Sequence, residues 1–267
     1  LPLWTPQPGP QALAWDIVHR CDEVLYGGEP GGGKSSLEVA LGLKFMSFPR
    51  ARILVLRRNT AHLNELIDEA KDVYMRGNAA GRFAFRPACP DKTRFREDKG
   101  WLMVNGDRLR MWFGHCDDPT SWEIYHGQAF DVVCFDEVTQ FHEEAYSEIR
   151  SRIRGKTQGV PRFSFATANP PKPSEPGATW VRNRWGPWLD KNWKMPDWEL
   201  TDSDGNVVRG KGLPDRGWEP ADSGQILYVM RINGVDMFST EPFSWDGDKA
   251  QTRTFIRARL SDNKALM

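Results

Sequence analysis

Leu25-Tyr-Gly-Gly-Glu-Pro-Gly-Gly-Gly-Lys-Ser-Ser-Leu37 contains a G-x-x-x-x-G-K-S pattern that begins at Gly28. Glycines let a backbone curl so that several N–H groups point inward at phosphate oxygens. In this pattern Lys34 reaches the β- and γ-phosphates of a nucleotide, and the Ser35 hydroxyl ligates Mg²⁺. The stretch therefore predicts a phosphate-binding loop, formed by Gly28, Glu29, Pro30, Gly31, Gly32, Gly33, Lys34, Ser35 and Ser36.

Both flanks of this loop support the prediction. The apolar run Val24-Leu25-Tyr26 is typical of a short buried strand. The residues after the loop give a helix with an apolar face, formed by Leu37, Ala40, Leu41 and Leu43. The alternative is a glycine-rich turn that carries a lysine by chance. Because strand, loop and helix occur in the order that the motif requires, we favour a nucleoside triphosphate site with the phosphates at the start of the helix.

A second strong signal is Asp131-Val-Val-Cys-Phe-Asp-Glu137, an apolar run that ends in two carboxylates. This is the Walker B arrangement, a buried strand whose tip carries acids. Asp136 can hold Mg²⁺ through water, and Glu137 can polarise the attacking water as a general base. The alternative is a strand that ends in exposed acids. With the glycine-rich loop upstream, the pair favours hydrolysis over simple nucleotide binding.

Two further strands are predicted to end near this site. Residues 51–56 are followed by Arg57 and Arg58, at the strand end where doubly wound sheets bind ligands. This arginine pair either contacts phosphate or a neighbouring subunit, or is simply solvated. Residues 162–169 form another strand, whose last residue is Asn169. Asn169 is predicted to sense the γ-phosphate or the attacking water; otherwise it merely ends a strand before a turn.

The spacing of apolar residues predicts two helices. Thr60 caps a helix that extends to Tyr74. Another helix covers residues 142–154, with Arg152 and Arg154 near its C-terminal end. These two arginines either balance the negative end of the helix dipole or reach a γ-phosphate in a neighbouring subunit.

Two Asn-Gly pairs predict β-hairpins. Residues 101–113 form one hairpin with a type I′ turn at Asn105-Gly106, and strand alternation then puts Arg108 and Arg110 on one face. That face is solvated or contacts a partner. Residues 226–238 form the other hairpin.

The C-terminal third of the chain differs in composition. Residues 170–224 are rich in proline, tryptophan, glycine and charge, which predicts an irregular excursion with a turn at Asp204-Gly205. Residues 254–260 are predicted as a last strand. The overall prediction is one α/β domain over residues 1–267, a P-loop NTPase of the ASCE type with a mostly parallel central sheet flanked by helices, plus hairpin and irregular excursions. In it, 1–169 form the nucleotide-binding core and 170–267 the excursion, hairpin and closing strand or lid.

Composition excludes several classes of protein. The 267 residues carry 36 Lys and Arg against 36 Asp and Glu, so any contact with nucleic acid needs a local patch rather than a global positive field. The four cysteines form no C-x-x-C pair, which argues against zinc and a disulfide framework and favours reduced thiols in a cytosol. No apolar run approaches the ~18 residues of a membrane span.

A short helix before the first strand presents Gln11 after a proline-rich opening. The glutamine amide can pair with both a donor and an acceptor on an adenine edge, so Gln11 is either a base reader or a surface residue.

These segments together resemble the ATPase domain of the large terminase subunit of tailed bacteriophages, the genome-packaging motor. The motifs that carry the resemblance are Trp4-x-Pro-x-Pro-Gly-Pro-Gln11, Tyr26-Gly-Gly, Tyr125-x-Gly127, Phe135-Asp-Glu-Val-Thr-Gln-Phe141, Ser151-Arg-Ile-Arg154, Phe165-Ala-Thr-Ala-Asn169 and Phe255-Ile-x-Ala-x-Leu-x-Asp-Asn263. The Phe165–Asn169 stretch corresponds to the coupling motif of that family.

The resemblance implies ATP and Mg²⁺ as cofactors and supports Gln11 as an adenine reader. It implies double-stranded DNA, the portal protein and the small terminase subunit as partners, and no membrane. It also implies a homo-oligomeric ring when assembled, a monomer otherwise, and a location in the host cytoplasm at the procapsid portal.

The sequence departs from the family pattern in three places. Glu29-Pro30 replaces the part of the loop where many members carry an arginine, and His126 replaces an arginine that serves a neighbour's γ-phosphate. Arg152, Arg154, Arg108 or Arg110 would then have to act as the arginine finger. The family's nuclease domain would begin after Asn263, so DNA cleavage is not expected from this chain.

Three functions compete at this stage. The leading one is an ATP-driven translocase of double-stranded DNA. The others are a helicase- or recombinase-like P-loop ATPase and a nucleotide-dependent switch that hydrolyses slowly. The adjacent acids Asp136 and Glu137 argue against the switch.

Overall fold

The computed structural model describes residues 4–48, 50–76, 90–97, 100–214 and 221–262. Predictions that involve Cys89, Asn263 or the residues between 77 and 89 lie outside this part of the chain.

The helices are α1 (Pro10–Ile17), α2 (Lys34–Ala40), α3 (Thr60–Lys71), α4 (Glu143–Arg150), α5 (Trp180–Arg184) and α6 (Gly186–Leu189). The strands are β1 (Glu23–Gly28), β2 (Ala51–Arg57), β3 (Arg94–Arg96), β4 (Trp101–Val104), β5 (Leu109–His115), β6 (Val132–Phe135), β7 (Phe163–Ala168), β8 (Trp198–Thr201), β9 (Val207–Gly210), β10 (Leu227–Ile232), β11 (Val235–Ser239), β12 (Ser244–Trp245), β13 (Asp248–Lys249) and β14 (Gln251–Ala258). A π-helix (Asp72–Arg76) continues α3, and 3-10 turns cover Val18–Arg20, Leu41–Phe45, Pro90–Lys92, Ser121–Tyr125, Val138–Gln140 and Leu260–Asp262.

Ten of the described strands form one sheet, in the order β11-β10-β14-β1-β7-β6-β2-β5-β4-β3. The six central strands, from β14 to β5, are parallel. Antiparallel hairpin strands extend the sheet at both edges. The predicted α/β fold with a mostly parallel sheet is confirmed.

Apolar residues on both faces bury the central strands between two layers of helices. In β2, Ile53 and Val55 pack in the core that includes α1, α2 and α3. Leu54 and Leu56 point the other way, into the core that includes α4, α5 and α6. This two-sided burial is what a parallel sheet requires, since its crossover helices cover both faces.

The closing strand β14 lies beside β1 in the middle of the sheet, with Gly28 in register with Ala258. A Cβ placed on Gly28 would clash with the carbonyl oxygen of Ala258, and the φ of Gly28 is +139°. Glycine is therefore required at the first position of the loop for two reasons, its backbone conformation and this close approach.

The first predicted hairpin forms with a different turn. Val104 pairs with Leu109, so four residues rather than two connect β4 to β5. Asn105, Gly106 and Asp107 all have positive φ angles, and the amide of Gly106 donates to the carbonyl of Lys92 outside the hairpin. The predicted type I′ turn is therefore wrong.

Two arginines of this hairpin separate as a result. Arg108 lies in the exposed loop, whereas Arg110 lies in β5, so the two do not share a strand face as predicted. The predicted turns at Asn233-Gly234 and Asp204-Gly205 are confirmed between β10 and β11 and between β8 and β9.

Two predicted helix boundaries are wrong. The N-cap of α3 is Asn59, whose side chain accepts from the amide of Ala61 at 2.9 Å, so Thr60 is the first helical residue. Helix α4 ends at Arg150 rather than Arg154. The chain turns away there because residues 152–155 pair with the segment before β6, through the hydrogen bond from the Phe130 amide to the Arg152 carbonyl.

Residues 170–224 are more regular than predicted, since α5, α6, β8 and β9 lie there. The cysteines in the described part of the chain, Cys21, Cys116 and Cys134, are buried and free. Among the described residues, no helix has the length and apolarity needed to cross a bilayer.

A buried ionic cluster holds the start of β1. Glu23 is 1% exposed and accepts from Arg184 at 2.5 and 3.1 Å, from Arg253 at 2.8 Å and from the Tyr146 hydroxyl at 2.5 Å. Burial alone raises the pKa of Glu23, but the guanidinium groups of Arg184, Arg253 and Arg150 outweigh it and hold the pKa well below its usual range.

Glu23→Gln should lower the free energy of unfolding by about 3–5 kcal/mol at pH 7, because it removes the buried counter-charge of Arg184 and leaves Arg253 with Asp236 alone. The native pKa of Glu23 is depressed, so its stabilising effect is present above its unfolded pKa of about 4.5 and is lost as the pH falls further. Urea unfolding at pH 7 and below pH 4 measures both values. The exposed pair partner Glu199 provides the matched Glu→Gln control, and an equal loss there would contradict the prediction.

Candidate nucleotide site

The glycine-rich loop connects β1 to α2 as predicted. Gly31 and Gly33 have φ angles of +84° and +69°, which a residue with a side chain rarely adopts. The buried Tyr26 hydroxyl donates to the carbonyl of Gly32 at 2.8 Å and so fixes the loop from beneath. The confirmed order of strand, loop and helix gives the geometry that phosphate binding needs.

Lys34, the first residue of α2, donates from Nζ to the carbonyl of Glu29 at 2.7 Å across the loop. Burial lowers the pKa of Lys34, and the nearby carboxylates Asp136 and Glu137 offset part of this shift. The ammonium group can exchange this neutral carbonyl for a charged phosphate oxygen.

The N-terminal segment braces the loop. Gln11 is 5% exposed; its Nε2 donates to the Gly33 carbonyl at 2.9 Å and its Oε1 accepts from the Gln7 amide at 2.6 Å. The indole N–H of Trp4 donates to the hydroxyl of Ser36 at 3.2 Å. Gln11 thus positions the loop in this structure, and the reading of adenine by its remaining donor and acceptor sites stays a prediction.

Asp136 and Glu137 directly follow β6, at the sheet edge where the glycine-rich loop lies. Asp136 is 2% exposed, and its Oδ1 accepts from the Thr167 hydroxyl at 2.7 Å. The amide of Glu137 donates to the same hydroxyl oxygen at 3.0 Å. One threonine at the end of β7 therefore fixes both acids.

Glu137 has a left-handed backbone, with φ and ψ both 55°. Such conformations cost about 1–3 kcal/mol in residues other than glycine and are concentrated at functional sites. Its carboxylate accepts a hydrogen bond from Gln140 Nε2 at 2.5 Å, and its side chain is 25% exposed. Glu137 is thus oriented and still accessible to water, as a general base must be.

The sequence reasoning missed one buried carboxyl group. Glu38 of α2 is 0% exposed, and no nitrogen or hydroxyl group of the described residues donates to its oxygens; its carboxyl group interacts with that of Asp136 instead. Burial first, and the charge of Asp136 next, raise the pKa of Glu38 well above its usual range, so the neutral acid is favoured. The signal was present, because Glu38 is a charged residue within the apolar run 37–41.

Arg57, which the sequence predicts either to contact phosphate or a neighbouring subunit or to be solvated, lies against the acidic pair. Its Nε lies 3.1 Å from Asp136 Oδ2 and its Nη2 lies 3.8 Å from Glu137 Oε1. Arg57 is therefore a cation of the same chain in direct contact with the acidic pair.

Asn169 follows β7, which lies between β1 and β6. Gly27 is in register with Ala168, so Asn169 is next to the start of the loop. Its side-chain oxygen is buried and has no hydrogen-bond partner among the described residues. Asn169 lines a cavity of about 400 Å³. The cavity is also lined by Gly28, Glu29, Arg182, Arg257 and Arg259. Its role as a sensor remains a prediction.

Arg152 and Arg154 lie far from the acidic pair, at the opposite end of the parallel strands. Both precede Gly155, whose amide donates to the carbonyl of Phe130, so they are at the start of β6, whereas Asp136 follows its end. The six residue steps from Phe130 to Asp136 span about 20 Å of extended chain. His126 is exposed and contacts Trp122 edge-to-face, with 4.9 Å between the ring centroids. A role for Arg152 or Arg154 as an arginine finger stays a prediction. It would require a neighbouring subunit to place this opposite end of its parallel strands against the nucleotide site.

The residues at this edge fit Mg²⁺ bound together with a nucleotide. Oδ2 of Asp136 is buried and receives no aligned hydrogen bond among the described residues; Arg57 Nε faces it at 3.1 Å through charge, and a metal ion can take that place. Ser35 stands at the start of α2 with a partly exposed side chain. The described residues contain no cluster of three or more His, Cys, Asp or Glu that could hold a metal ion alone. Mg²⁺ does not require one, since it commonly uses one or two protein oxygens plus phosphates and water.

The fold and this edge define a P-loop NTPase of the ASCE class: one strand, β7, separates the loop-bearing β1 from the acid-bearing β6. No family model and no curated protein matches the chain. The solved structures to which it is similar include large terminases of bacteriophages, the family that its sequence motifs resemble.

The large terminase of a thermophilic bacteriophage is 15% identical, with a TM-score of 0.47, over 62% of this chain and 40% of that chain. The bacteriophage HK97 large terminase is 10% identical, with a TM-score of 0.46, over 63% of this chain and 34% of that one. The same thermophilic phage enzyme in complex with ATP-gamma-S is 12% identical, with a TM-score of 0.43, over 62% and 38% of the two chains. The chain thus covers less than half the length of each.

Proposed function

We propose that this chain is an Mg²⁺-dependent ATPase that drives double-stranded DNA into a viral procapsid, as the ATPase part of a large terminase. The observation that carries the ATPase assignment is the pair Asp136 and Glu137, fixed by one Thr167 hydroxyl at the sheet edge that bears the glycine-rich loop. The terminase assignment is supported by the sequence motifs on the segments that link these elements.

Each residue has a defined task in this proposal. Lys34 leaves the Glu29 carbonyl to bind the β- and γ-phosphates, and Ser35 and Asp136 hold Mg²⁺, which supplies charge neutralisation at the phosphates. Glu137, held by Gln140, accepts a proton from the attacking water. Asn169, beside the loop, senses the γ-phosphate.

The proposed partners are double-stranded DNA, the portal protein and the small terminase subunit. The balance of 36 positive against 36 negative side chains gives no global attraction to DNA. The isolated chain should therefore be a weak ATPase and a weak, salt-sensitive DNA binder, and the homo-oligomeric ring should form on the portal.

The test measures the rate of ATP hydrolysis by the chain alone, with duplex DNA, and with procapsids that carry the portal. Hydrolysis that duplex DNA and procapsids stimulate, without strand separation, supports the proposal. Strand separation would instead favour a helicase- or recombinase-like ATPase. A slow rate of hydrolysis that neither duplex DNA nor procapsids change would favour a nucleotide-dependent switch and overturn the motor assignment.

A further inference from the structure

The tasks assigned above leave Arg57, which contacts both acids of the site, without a role. It is the last residue of β2, whose Leu56 is in register with Phe135 of β6. Arg57 therefore lies beside Asp136 on the neighbouring strand. Strand alternation turns both side chains to the face that packs on α2 and α3, the face of Val55 and Cys134.

Four contacts hold the Arg57 guanidinium, two on each side. Toward the site, it approaches Asp136 at 3.1 Å and Glu137 at 3.8 Å. Toward α3, its Nη1 donates to the carbonyl of His62 at 2.7 Å and to Glu65 at 3.0 Å. Its side chain is 12% exposed, so water screens these interactions only in part.

The contact between Arg57 and Asp136 is unlike a structural ion pair. Arg57 Nε and Asp136 Oδ2 are both buried, and neither forms an aligned hydrogen bond with a nitrogen, carbonyl or hydroxyl group of the described residues. The two groups are thus close without the alignment of a hydrogen bond. The Glu23 cluster is the counter-example in the same chain, since Arg184 donates two hydrogen bonds to Glu23. Charge alone attracts Arg57 to Asp136, so another cation can replace it at little geometric cost.

We infer that Arg57 is a positioning residue that neutralises Asp136 and Glu137 in the nucleotide-free chain and competes with divalent cations for Asp136. This inference rests on the proposed function, in which Asp136 is the metal ligand. When a divalent cation binds at Asp136, the Arg57 guanidinium moves away from Oδ2 of Asp136. It keeps its hydrogen bonds to the His62 carbonyl and Glu65 of α3 and remains attracted to Glu137. The consequence is a low affinity for the metal alone, so that the metal enters together with the nucleotide.

The test measures binding of Mn²⁺ to the nucleotide-free protein, by the loss of the electron paramagnetic resonance signal of free Mn²⁺. Arg57→Met removes the competing charge, so the Mn²⁺ dissociation constant should fall by about tenfold. Arg57→Lys retains a positive charge and should remain within about threefold of the wild type. Arg58→Met is the matched control on the next residue and should leave the dissociation constant unchanged.

A purely structural role would not give this result, because lost packing would weaken the site. An unchanged or higher Mn²⁺ dissociation constant in an Arg57→Met protein that melts like the wild type overturns the inference. Should Arg57→Met melt well below the wild type, Arg57→Gln, which keeps a donor for the His62 carbonyl, is measured under the same criterion. In Asp136→Asn the Arg57→Met substitution should have no effect on Mn²⁺ binding, and a persistent tenfold change there would contradict competition at Asp136.

This readout separates the inference from the proposed function. If the wild type hydrolyses no ATP but Arg57→Met still binds Mn²⁺ more tightly, the function fails and the competition stands. If hydrolysis depends on duplex DNA as proposed but Mn²⁺ binding does not respond to Arg57, the function stands and the competition fails.

Discussion

Glu137→Gln should bind ATP about as tightly as the wild type and hydrolyse it at least ~10²-fold more slowly. The amide keeps the size of the side chain and can still meet Gln140, so the loop and the phosphate contacts are undisturbed. It cannot accept a proton from water at neutral pH. Binding of a fluorescent ATP analogue and single-turnover hydrolysis measure the two effects separately.

Glu144 offers the matched control for this substitution. It is an exposed acid in the first turn of α4, and Glu144→Gln should leave both binding and turnover at wild-type values. Wild-type turnover in Glu137→Gln would show that another group is the base. A loss of binding as large as the loss of turnover would show that Glu137 supports the loop instead.

Lys34→Ala should impair nucleotide binding, the step before hydrolysis. The affinity for nucleotide should fall by about 10- to 10²-fold, and turnover should be lost with it. The ammonium group supplies the positive charge closest to the phosphates within the loop. It also closes the loop through the Glu29 carbonyl in the present structure, so its removal frees the loop as well. Calorimetric titration with a non-hydrolysable ATP analogue measures the affinity.

The exposed Lys172 gives the matched Lys→Ala control, for which no change in affinity is expected. Lys34→Ala and Glu137→Gln together form a diagnostic pair, because the first removes binding and the second removes only chemistry. If Lys34→Ala bound the analogue with wild-type affinity, the glycine-rich stretch would not be the phosphate site.

Local sequence was sufficient for the parts of the site that are contiguous in the chain. A strand, a glycine-rich loop and a helix in fixed order define the position of Lys34 and Ser35 regardless of the rest of the fold. An apolar run of four residues that ends in acids likewise places Asp136 and Glu137 at a strand tip. Both predictions depend on spacing along one segment, so the structure reproduces them.

Predictions that depended on where segments end were weaker. The apolar spacing continues to Ile153 and so predicts a helix that ends at Arg154, yet the pairing of residues 152–155 with the segment before β6 ends α4 at Arg150. Arg152 and Arg154 lie opposite the nucleotide site in either case, because α4 connects the parallel strands β6 and β7 and must run back to the start of the sheet. Periodicity alone carries no signal for that pairing.

Sequence by itself predicted the segments of the proposed site, which are the glycine-rich loop and the adjacent carboxylates Asp136 and Glu137, and it predicted the class of the sheet. Only the tertiary structure decided which distant side chains complete this site. The order β1-β7-β6-β2 brings Thr167 under both acids and sets Arg57 against Asp136, and the packing of α2 buries Glu38 near them. The physical reason is that a strand end fixes the direction of a side chain, whereas its charged partner is set by the neighbouring strand, and strand order is not written in any local pattern.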